Sequence, residues 1–201
     1  MKLGLITDIH EQVELLQTAL DRFEQEKVDQ IVFIGDVVLL GNRLAETCRL
    51  LSEADVIGVW GNHDFGICTN PSEEMRETYG ESVIHFFTTL KPKLVIEDCL
   101  VTHVEPWLDP NKIEDLWYFD GPPDSPKRLQ QIFCSAQNAC FFVGHYHRWM
   151  HVTPDGISDW AGDRPMILDR RNLIVVGAIC EGRFAIFDTA TKELVPFNEM
   201  T

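Results

Sequence analysis

The sequence predicts a fold of class α+β / α/β, a four-layer αββα sandwich in which two mixed β-sheets pack together and helices cover the outer faces. Two observations carry this prediction. In the first third of the chain, apolar runs of strand length alternate with amphipathic helical patterns, which is typical of parallel strands joined by helices. The second half is rich in short β segments, so a second sheet should pack against the first. We expect a single domain over residues 1–201, because 201 residues are enough for one substantial core and few for two.

The first part of the chain is predicted to form three strands separated by two helices. The predicted bounds are 2–7, 11–27, 29–36, 42–54 and 56–64. In the first helix Val13, Leu16 and Leu20 fall at helical spacing, and in the second helix Leu44 and Cys48 do the same. We expect the three strands to be parallel, with right-handed crossovers.

The rest of the chain predicts a helical region, a tight hairpin and several strands around an irregular segment. The helical region covers 71–90, and the hairpin strands "KLVIED" and "CLVTH" follow it. The segment from Val104 to Arg128 is polar and contains prolines and aromatic residues, which predicts a long surface loop. A helix is expected at 128–139, and strands are expected at 140–145, 148–154, 164–170, 172–179, 182–188 and 193–197.

The composition is that of an ordinary soluble protein. Hydrophobic residues make up 45% of the chain and charged residues 24%. No apolar run approaches the length of a membrane span, and the start "MKLGLITDIH" is too brief and too soon acidic for a signal peptide. We therefore expect a cytoplasmic protein without a membrane partner. The six cysteines lack the close pairing that is typical of zinc sites, and we expect them to be reduced.

Side chains that bind metals follow five of the predicted strands, in "TDIH", "GD", "GNHD", "TH" and "GHYH". The polar residues in these stretches are Asp8, His10, Asp36, Asn62, His63, Asp64, His103, His145 and His147. In open α/β sheets a site lies at the carboxyl ends of the strands, so these residues should meet in one place. In an extended backbone His145 and His147 would point to the same side. Taken alone, that pair could also be an ordinary strand end, and a lone histidine after a strand is often structural.

The combination of "DIH", "GD", "GNHD", a single histidine and "GHYH" resembles the calcineurin-like metallophosphoesterase superfamily in its small bacterial form. The resemblance spans Asp8 to His147 and implies two divalent metal ions. It implies that Asp8, His10, Asp36 and His147 hold the first ion, and that Asp36, Asn62, His103 and His145 hold the second. The mixed oxygen and nitrogen donors favour manganese, iron or zinc, and the sequence does not select among these metals.

The resemblance also implies a mechanism. Asp36 would share its two oxygens between ions about 3.5–4 Å apart, and a hydroxide bridging the ions would attack phosphorus in line. His63 would stabilise the transition state or protonate the leaving oxygen, and Asp64 would orient the His63 ring. A purely structural role for His63 is the alternative. With two carboxylates against two divalent ions, the site should be locally positive and attract phosphate.

The expected activity is hydrolysis of a phosphoester, with a small phosphodiester or nucleotide favoured as the substrate. A monoester carries more charge and would need more cationic groups than Arg43 and Arg148, which the sequence offers as candidates. The alternatives are a phosphomonoesterase or protein phosphatase, and a catalytically silent scaffold of the same fold. A net charge of −15 argues against a nuclease and against a long nucleic acid as a partner. The oligomeric state is left open.

The segment 105–124 is a candidate substrate wall because it starts just after His103. Its aromatic residues, which are Trp107, Trp117, Tyr118 and Phe119, could stack on a flat group or could anchor the segment to the body. Small relatives commonly have an "NPGS"-like turn after the "GHxH" strand, whereas this chain has "NLIVVGAICEGRFAIFD" there. The substrate rim is therefore expected to differ from that of its relatives.

Overall fold

A computed structural model describes residues 1–199. The strands are β1 (Lys2–Ile6), β2 (Gln30–Phe33), β3 (Ile57–Gly58), β4 (Leu94–Ile96), β5 (Cys99–Val101), β6 (Cys140–Val143), β7 (Met150–Thr153), β8 (Gly156–Ile157), β9 (Met166–Ile167), β10 (Asn172–Val175), β11 (Arg183–Asp188) and β12 (Glu193–Asn198). The helices are α1 (Val13–Gln25), α2 (Leu44–Glu53), α3 (Phe65–Thr69), α4 (Glu73–Tyr79), α5 (Glu81–Thr89), α6 (Ile113–Leu116) and α7 (Pro126–Cys134). A 3₁₀ turn covers Ile179–Glu181.

Two six-stranded sheets organise these elements. The first has the order β3-β2-β1-β11-β12-β9, and the second has the order β4-β5-β6-β10-β7-β8. In the first sheet β1, β2 and β3 are parallel, and β11 pairs with β1 in the antiparallel sense. In the second sheet β6 lies parallel to both β5 and β10, and the outer pairs are antiparallel. Both sheets are thus mixed, which confirms the predicted fold class.

The core is divided into three apolar layers, as a four-layer sandwich requires. Strand β6 illustrates the arrangement, because its side chains alternate between two of these layers. Cys140 and Phe142 face the first sheet, where the Phe142 ring lies 5.2 Å from that of Phe187. Phe141 and Val143 face the opposite way and pack against α7. The outer face of the first sheet is covered by α1, α2 and α5.

Local sequence explains where the main helices lie. In α1 the buried residues Val13, Leu16, Ala19 and Phe23 form a single stripe, so the helix packs with one face on the sheet. Helix α7 begins at Pro126, and the Ser125 side chain caps it by accepting the backbone N–H of Arg128.

Within residues 1–199 no helix is long and apolar enough to cross a membrane.

Several elements differ from the prediction, and α3 and β8 have no counterpart in it. The helical region 71–90 is two helices, because Gly80 has a φ of 82° that a helix cannot contain. The predicted strand 56–64 is regular only in β3, which is followed by a single bridge between Val59 and Lys91. Residues 62–64 form a turn that leads into α3. The predicted strand 164–170 is paired only in β9. The segment after His103 is not wholly irregular, since it contains α6.

Candidate active site

Polar side chains at the carboxyl ends of β1, β2, β3, β5 and β6 converge on one place. Carboxylate and imidazole atoms form three overlapping groups whose ligand atoms lie within 4.8 Å of one another. The groups are Asp8, His10 and His147; His10, Asp36 and His63; and Asp8, Asp36 and His103. Asn62 and His145 join them through the Asn62 amide oxygen, which is 3.0 Å from both His103 Nε2 and His145 Nδ1. The structure therefore brings together all seven predicted metal ligands.

The first group is built around Asp8. Its Oδ1 atom is buried and has no hydrogen-bond partner among residues 1–199, although His147 Nε2 is 3.2 Å away and His10 Nε2 is 4.0 Å away. The two Nε2 atoms are themselves 3.2 Å apart. Two imidazole nitrogens and an unpartnered carboxylate oxygen are suitable ligands for one divalent cation.

Asp36 lies between the two halves of the cluster. Its Oδ2 atom is 3.3 Å from His103 Nε2 and 4.0 Å from His10 Nε2, while its Oδ1 atom accepts the backbone N–H of His63. The family resemblance assigns His10 and His103 to different ions. A single carboxylate within reach of both histidines is the arrangement that a bridging ligand requires.

Backbone carbonyls set the orientation of two ligand rings. The Nδ1 atom of His103 donates to the carbonyl of Ile34 at 2.7 Å, and that of His10 donates to the carbonyl of Val38 at 3.0 Å. Because a carbonyl can only accept, each Nδ1 carries a proton, and the neutral form of either ring would present its Nε2 lone pair to the cluster.

Left-handed backbone turns the ligands inward. Asp8, His10, Asp36, His145 and His147 all have φ between 46° and 68°, a region that costs energy for residues other than glycine. His145 and His147 lie beyond the end of β6 and are not extended. The expectation that extended backbone aims this pair is therefore wrong, because two sharp turns bring both rings into the same space.

Two motif glycines make room for the carboxylates. A Cβ atom on Gly61 would overlap the Asp36 carboxylate, and a Cβ atom on Gly144 would overlap the Thr7 hydroxyl and lie 2.8 Å from Asp8 Oδ2. That hydroxyl donates to Asp8 Oδ2 at 2.7 Å. The glycines of "GNHD" and "GHYH" are thus required by the close approach of other strand ends.

Burial and neighbouring charges shift the pKa values of the ionisable groups in the cluster. Burial alone would raise the pKa of Asp36, but His103 lowers it to about 2. Burial alone would lower the pKa of His103, but Asp36 raises it to about 9. The Asp8 carboxylate raises the pKa of His147 to about 10. Burial and the neighbouring His103 lower the pKa of His145 to about 4. The carboxylates thus attract positive charge, and metal ions and protons compete for the same imidazoles.

His63 lies at the edge of the cluster, where its side chain is exposed. Its ring centroid is 5.0 Å from that of His10. Burial of part of the ring lowers its pKa. An exposed imidazole beside the predicted ligands is placed to reach a substrate, as a general acid must be.

Asp64 does not orient the His63 ring, which corrects the role predicted for it. Its two oxygens accept the backbone N–H groups of Asp36, Val37, Val38 and Gly61 at 2.7 to 3.3 Å. Within residues 1–199 no hydrogen bond joins Asp64 to the His63 ring. Burial, followed by the charge of Asp36, raises the pKa of Asp64 to about 6. Asp64 therefore fixes the backbone that carries Asp36.

Arg43, one of the two candidate arginines for a phosphate contact, lies on the surface in ion pairs. Its guanidinium pairs with Glu14 at 2.6 Å and with Glu46 at 2.9 Å on an exposed surface. Those two carboxylates compensate its charge, so Arg43 is a poor candidate for a phosphate contact. Arg148 is exposed, and its guanidinium carbon lies 6.0 Å from the centre of the Tyr146 ring.

The sequence reasoning missed Glu11. Its carboxylate is buried and accepts the backbone N–H groups of Leu39, Leu40, Gly41 and Arg43 at 2.6 to 2.9 Å. The loop that follows Asp36 is therefore closed around this carboxylate. The only signal in the sequence was its place directly after "DIH", where a glutamate is more often solvated.

Glu105 and Arg128 form a second group that was missed. Glu105 is 1% exposed and Arg128 is 6% exposed, and Arg128 Nη2 lies 2.5 Å from Glu105 Oε1. The Tyr146 hydroxyl donates to the same Glu105 oxygen, and Trp107 Nε1 donates to Glu105 Oε2 at 2.7 Å. Tyr146 stands between two predicted ligands in the sequence, so this network links the 105–124 segment to the site.

The layered fold and its cluster of nitrogen and oxygen donors define a protein of the metallophosphoesterase class. A family model described as "calcineurin-like phosphoesterase superfamily domain" matches residues 1–190, and the chain belongs to this family. This confirms the resemblance that the five motifs carry.

Individual relatives are distant. An uncharacterised protein of Methanocaldococcus jannaschii is 26% identical over 161 residues, which are 78% of this chain and 56% of that protein. The chain thus spans little more than half of that relative. The crystal structure of a metallophosphoesterase from Sphaerobacter thermophilus matches with a TM-score of 0.80 and 20% identity, covering 100% of this chain and 89% of the other. An archaeal phosphodiesterase matches with a TM-score of 0.58 and 18% identity, covering 99% and 100%. These structures show the shared fold.

Proposed function

We propose that this protein hydrolyses small phosphodiesters with two divalent metal ions. Asp8, His10, Asp36 and His147 would hold one ion, and Asp36, Asn62, His103 and His145 would hold the other. The observation that carries the proposal is the position of Asp36, whose Oδ2 atom lies within 4.0 Å of histidines on both sides of the cluster. Two bound ions would acidify water and polarise the phosphoryl oxygens.

The chain's own residues contribute the rest of the chemistry. Asp64 holds the backbone of Asp36 in place, so the shared carboxylate keeps one orientation. The exposed His63 can donate a proton to the leaving oxygen of a substrate bound over the ligands. With only Asp8 and Asp36 as anionic ligands, the occupied centre keeps net positive charge for a phosphate.

Charge balance favours the diester. A phosphomonoester is a dianion, which calls for more positive charge around the centre than a diester does. Arg43 is neutralised by Glu14 and Glu46, and Arg128 is buried against Glu105. Of the arginines considered, Arg148 alone is left to assist. A small substrate is also favoured, because the net charge of −15 repels long polyanions.

The test compares the manganese-dependent hydrolysis of p-nitrophenyl phosphate and of bis(p-nitrophenyl) phosphate. We expect a higher kcat/KM for the bis ester, and loss of both turnover and bound metal in Asp36→Asn. The matched control is Asp21→Asn, which makes the same chemical change on the exposed face of α1. A preference for the monoester would instead identify a phosphatase. Bound metal without turnover of either ester would favour a silent scaffold, and turnover that survives in Asp36→Asn would contradict the proposal.

A further inference from the structure

Two exposed aromatic side chains border the predicted ligands. Trp117 is 54% exposed and Phe119 is 59% exposed. The ring centroid of Trp117 lies 5.2 Å from that of His63, and the Phe119 ring lies 6.3 Å from that of His145. Large apolar rings left in water beside a polar cluster are typical of a binding surface.

The other two aromatic residues of the segment anchor it instead. The indole of Trp107 bonds to Glu105, and its ring lies 5.4 Å from that of Tyr118. Tyr118 also lies under the Arg128 guanidinium at 5.3 Å. Both rings pack against the core. Trp107 and Tyr118 already attach the segment to the protein. Anchoring therefore does not explain why Trp117 and Phe119 are exposed.

The two exposed rings are carried by a rigid support. Arg128 donates through Nε to Glu105 and through Nη1 to the backbone carbonyl of Asp120. Tyr146 bonds to Glu105, and its ring lies 5.5 Å from that of Phe119. This buried network fixes the chain immediately after Phe119 to a residue between two predicted ligands, so the exposed rings keep their position beside the site.

The acidic side chains near Trp117 and Phe119 limit the kind of ligand that could bind there. The side chains of Glu114, Asp120 and Asp124 in the 105–124 segment are exposed. Their negative charges would repel a ligand with several phosphates lying along this segment. A single flat ring joined to one phosphate fits, because its phosphate can lie over the ligand cluster while the ring lies against Trp117. Stacking of a base on an aromatic side chain is sequence-tolerant and strengthens binding about tenfold or more.

We propose that Trp117 and Phe119 form a platform that binds a flat unsaturated ring, such as a nucleobase, of the phosphodiester substrate. This inference rests on the proposed function, because it assumes a phosphodiester at the neighbouring metal ligands.

The first experiment uses two diesters with the same leaving group, thymidine 5′-(p-nitrophenyl phosphate) and methyl p-nitrophenyl phosphate. In the manganese-loaded protein we expect kcat/KM to be about tenfold or more higher for the thymidine ester. Trp117→Ala should bring the ratio of the two kcat/KM values close to one, mainly through KM, whereas Trp117→Phe should keep most of it. Trp160→Phe, in the core between the sheets, is the control and should keep the whole ratio. Because both esters carry a p-nitrophenyl ring that could itself stack, a wild-type ratio near one overturns the platform when Trp117→Ala also leaves kcat/KM unchanged for both esters. A wild-type ratio of about tenfold or more that is unchanged in Trp117→Ala would overturn it as well.

The second experiment does not require turnover. Adenosine monophosphate is titrated into the zinc-loaded protein while tryptophan fluorescence is excited at the red edge, where adenine does not absorb. We expect quenching that is lost in Trp117→Ala and kept in Trp160→Phe. If neither ester is hydrolysed but this quenching occurs, the proposed function fails and the platform stands. No Trp117-dependent change at millimolar nucleotide would overturn the platform, whatever the ester assays give.

Discussion

His63 and Asp64 are neighbours in the sequence with opposite environments. His63 is exposed at the edge of the ligand cluster, whereas Asp64 is fully buried beneath it. The side-chain oxygens of Asp64 accept hydrogen bonds from the backbone around Asp36 and Gly61. His63 is thus placed to reach a substrate, whereas Asp64 maintains the backbone geometry of the predicted ligand Asp36.

Replacing His63 should slow the reaction without removing the metal. A general acid typically contributes about 10²–10⁴ in rate, so we expect His63→Gln to lower kcat by about that factor for a diester with an alkoxide leaving group. The fall should be smaller for the bis ester, because p-nitrophenolate can leave without a proton. Metal content, measured by elemental analysis, should equal that of the wild type. The control is His85→Gln, on the exposed face of α5. An unchanged kcat would support the structural role that the sequence also allowed for His63.

Replacing Asp64 should destabilise the protein. In Asp64→Asn an amide NH₂ group would face backbone N–H donors, and at least one charge-assisted hydrogen bond would be lost. Hydrogen bonds to a charged group contribute about 1.5–3 kcal/mol each. Removing the buried charge offsets part of this loss, because burial and Asp36 disfavour the ionised form of Asp64 and raise its pKa. We therefore expect the free energy of unfolding at pH 7 to fall by about 1–2 kcal/mol. Urea denaturation of the metal-free proteins measures this change. Normal stability with reduced kcat would mean that Asp64 acts through His63 after all.

At the scale of elements, the loop between β2 and α2 depends on a carboxylate from the start of α1. Glu11 precedes that helix and collects four backbone N–H groups of the loop. Burial acts to raise its pKa, but these bonds together lower it from the ordinary value of 4.5. A carboxyl whose pKa is lower in the folded state stabilises the fold when it is ionised.

The contribution of Glu11 should therefore depend on pH. It is present above about pH 4.5, the unfolded value, and is lost as the pH falls through the lower folded value. We expect Glu11→Gln to be less stable than the wild type by about 2 kcal/mol at pH 7, and the gap should narrow in acid. Urea denaturation of the metal-free proteins at several pH values gives the comparison. A gap that stays constant down to the lowest pH would contradict this role.

The 105–124 segment depends on the buried pair of Glu105 and Arg128. Removing one partner of a buried ion pair leaves an uncompensated charge and costs about 3–5 kcal/mol. We expect Arg128→Met to lose that much stability in chemical denaturation. The double variant Arg128→Met with Glu105→Gln should recover a large part, since no buried charge is then unpaired. Equal losses in the single and double variants would show that Arg128 contributes mainly by packing.

The sequence identifies elements and ligands to different degrees. Helix α1 and strand β6 follow from patterns of apolar residues, because burial on one or two faces imposes a period. The seven predicted ligands, which the structure brings together, follow from five motifs near the ends of strands. The left-handed backbone at His145 and the break at Gly80 depend on turns that apolar periodicity does not encode. The pairing of Glu105 with Arg128 and of Glu11 with the loop after Asp36 could not be found either, since these partners lie 23 or more residues away in the sequence.

On the scale of the whole molecule, the predicted ligands come from both sheets. Asp8, Asp36 and Asn62 follow strands of the first sheet, and His103, His145 and His147 follow strands of the second. A metal ion bound to both sets would bind the folded protein and not the unfolded chain. Binding should therefore stabilise the sandwich as a whole.

Metal removal should lower the stability of the entire protein. At a free metal concentration about 100 times Kd, a single site adds about 2.7 kcal/mol to the free energy of unfolding. We expect manganese or zinc to raise Tm and chelation to reverse the effect. Asp36→Asn should respond much less, whereas Asp21→Asn should respond as the wild type does. An equal rise in Tm for Asp36→Asn would place the stabilising metal elsewhere.

The last quarter of the chain carries none of the ligands, yet it supports the first of them. Strand β11 pairs with β1 along Lys2 to Leu5, and the backbone N–H groups of Ile179 and Cys180 donate to the carbonyls of Thr7 and Asp8. During synthesis the last ligand, His147, emerges well before this support does. A ribosome that has made every predicted ligand has therefore not yet made the antiparallel strand that pairs with β1, so Asp8 and His10 lack this support until β11 has emerged.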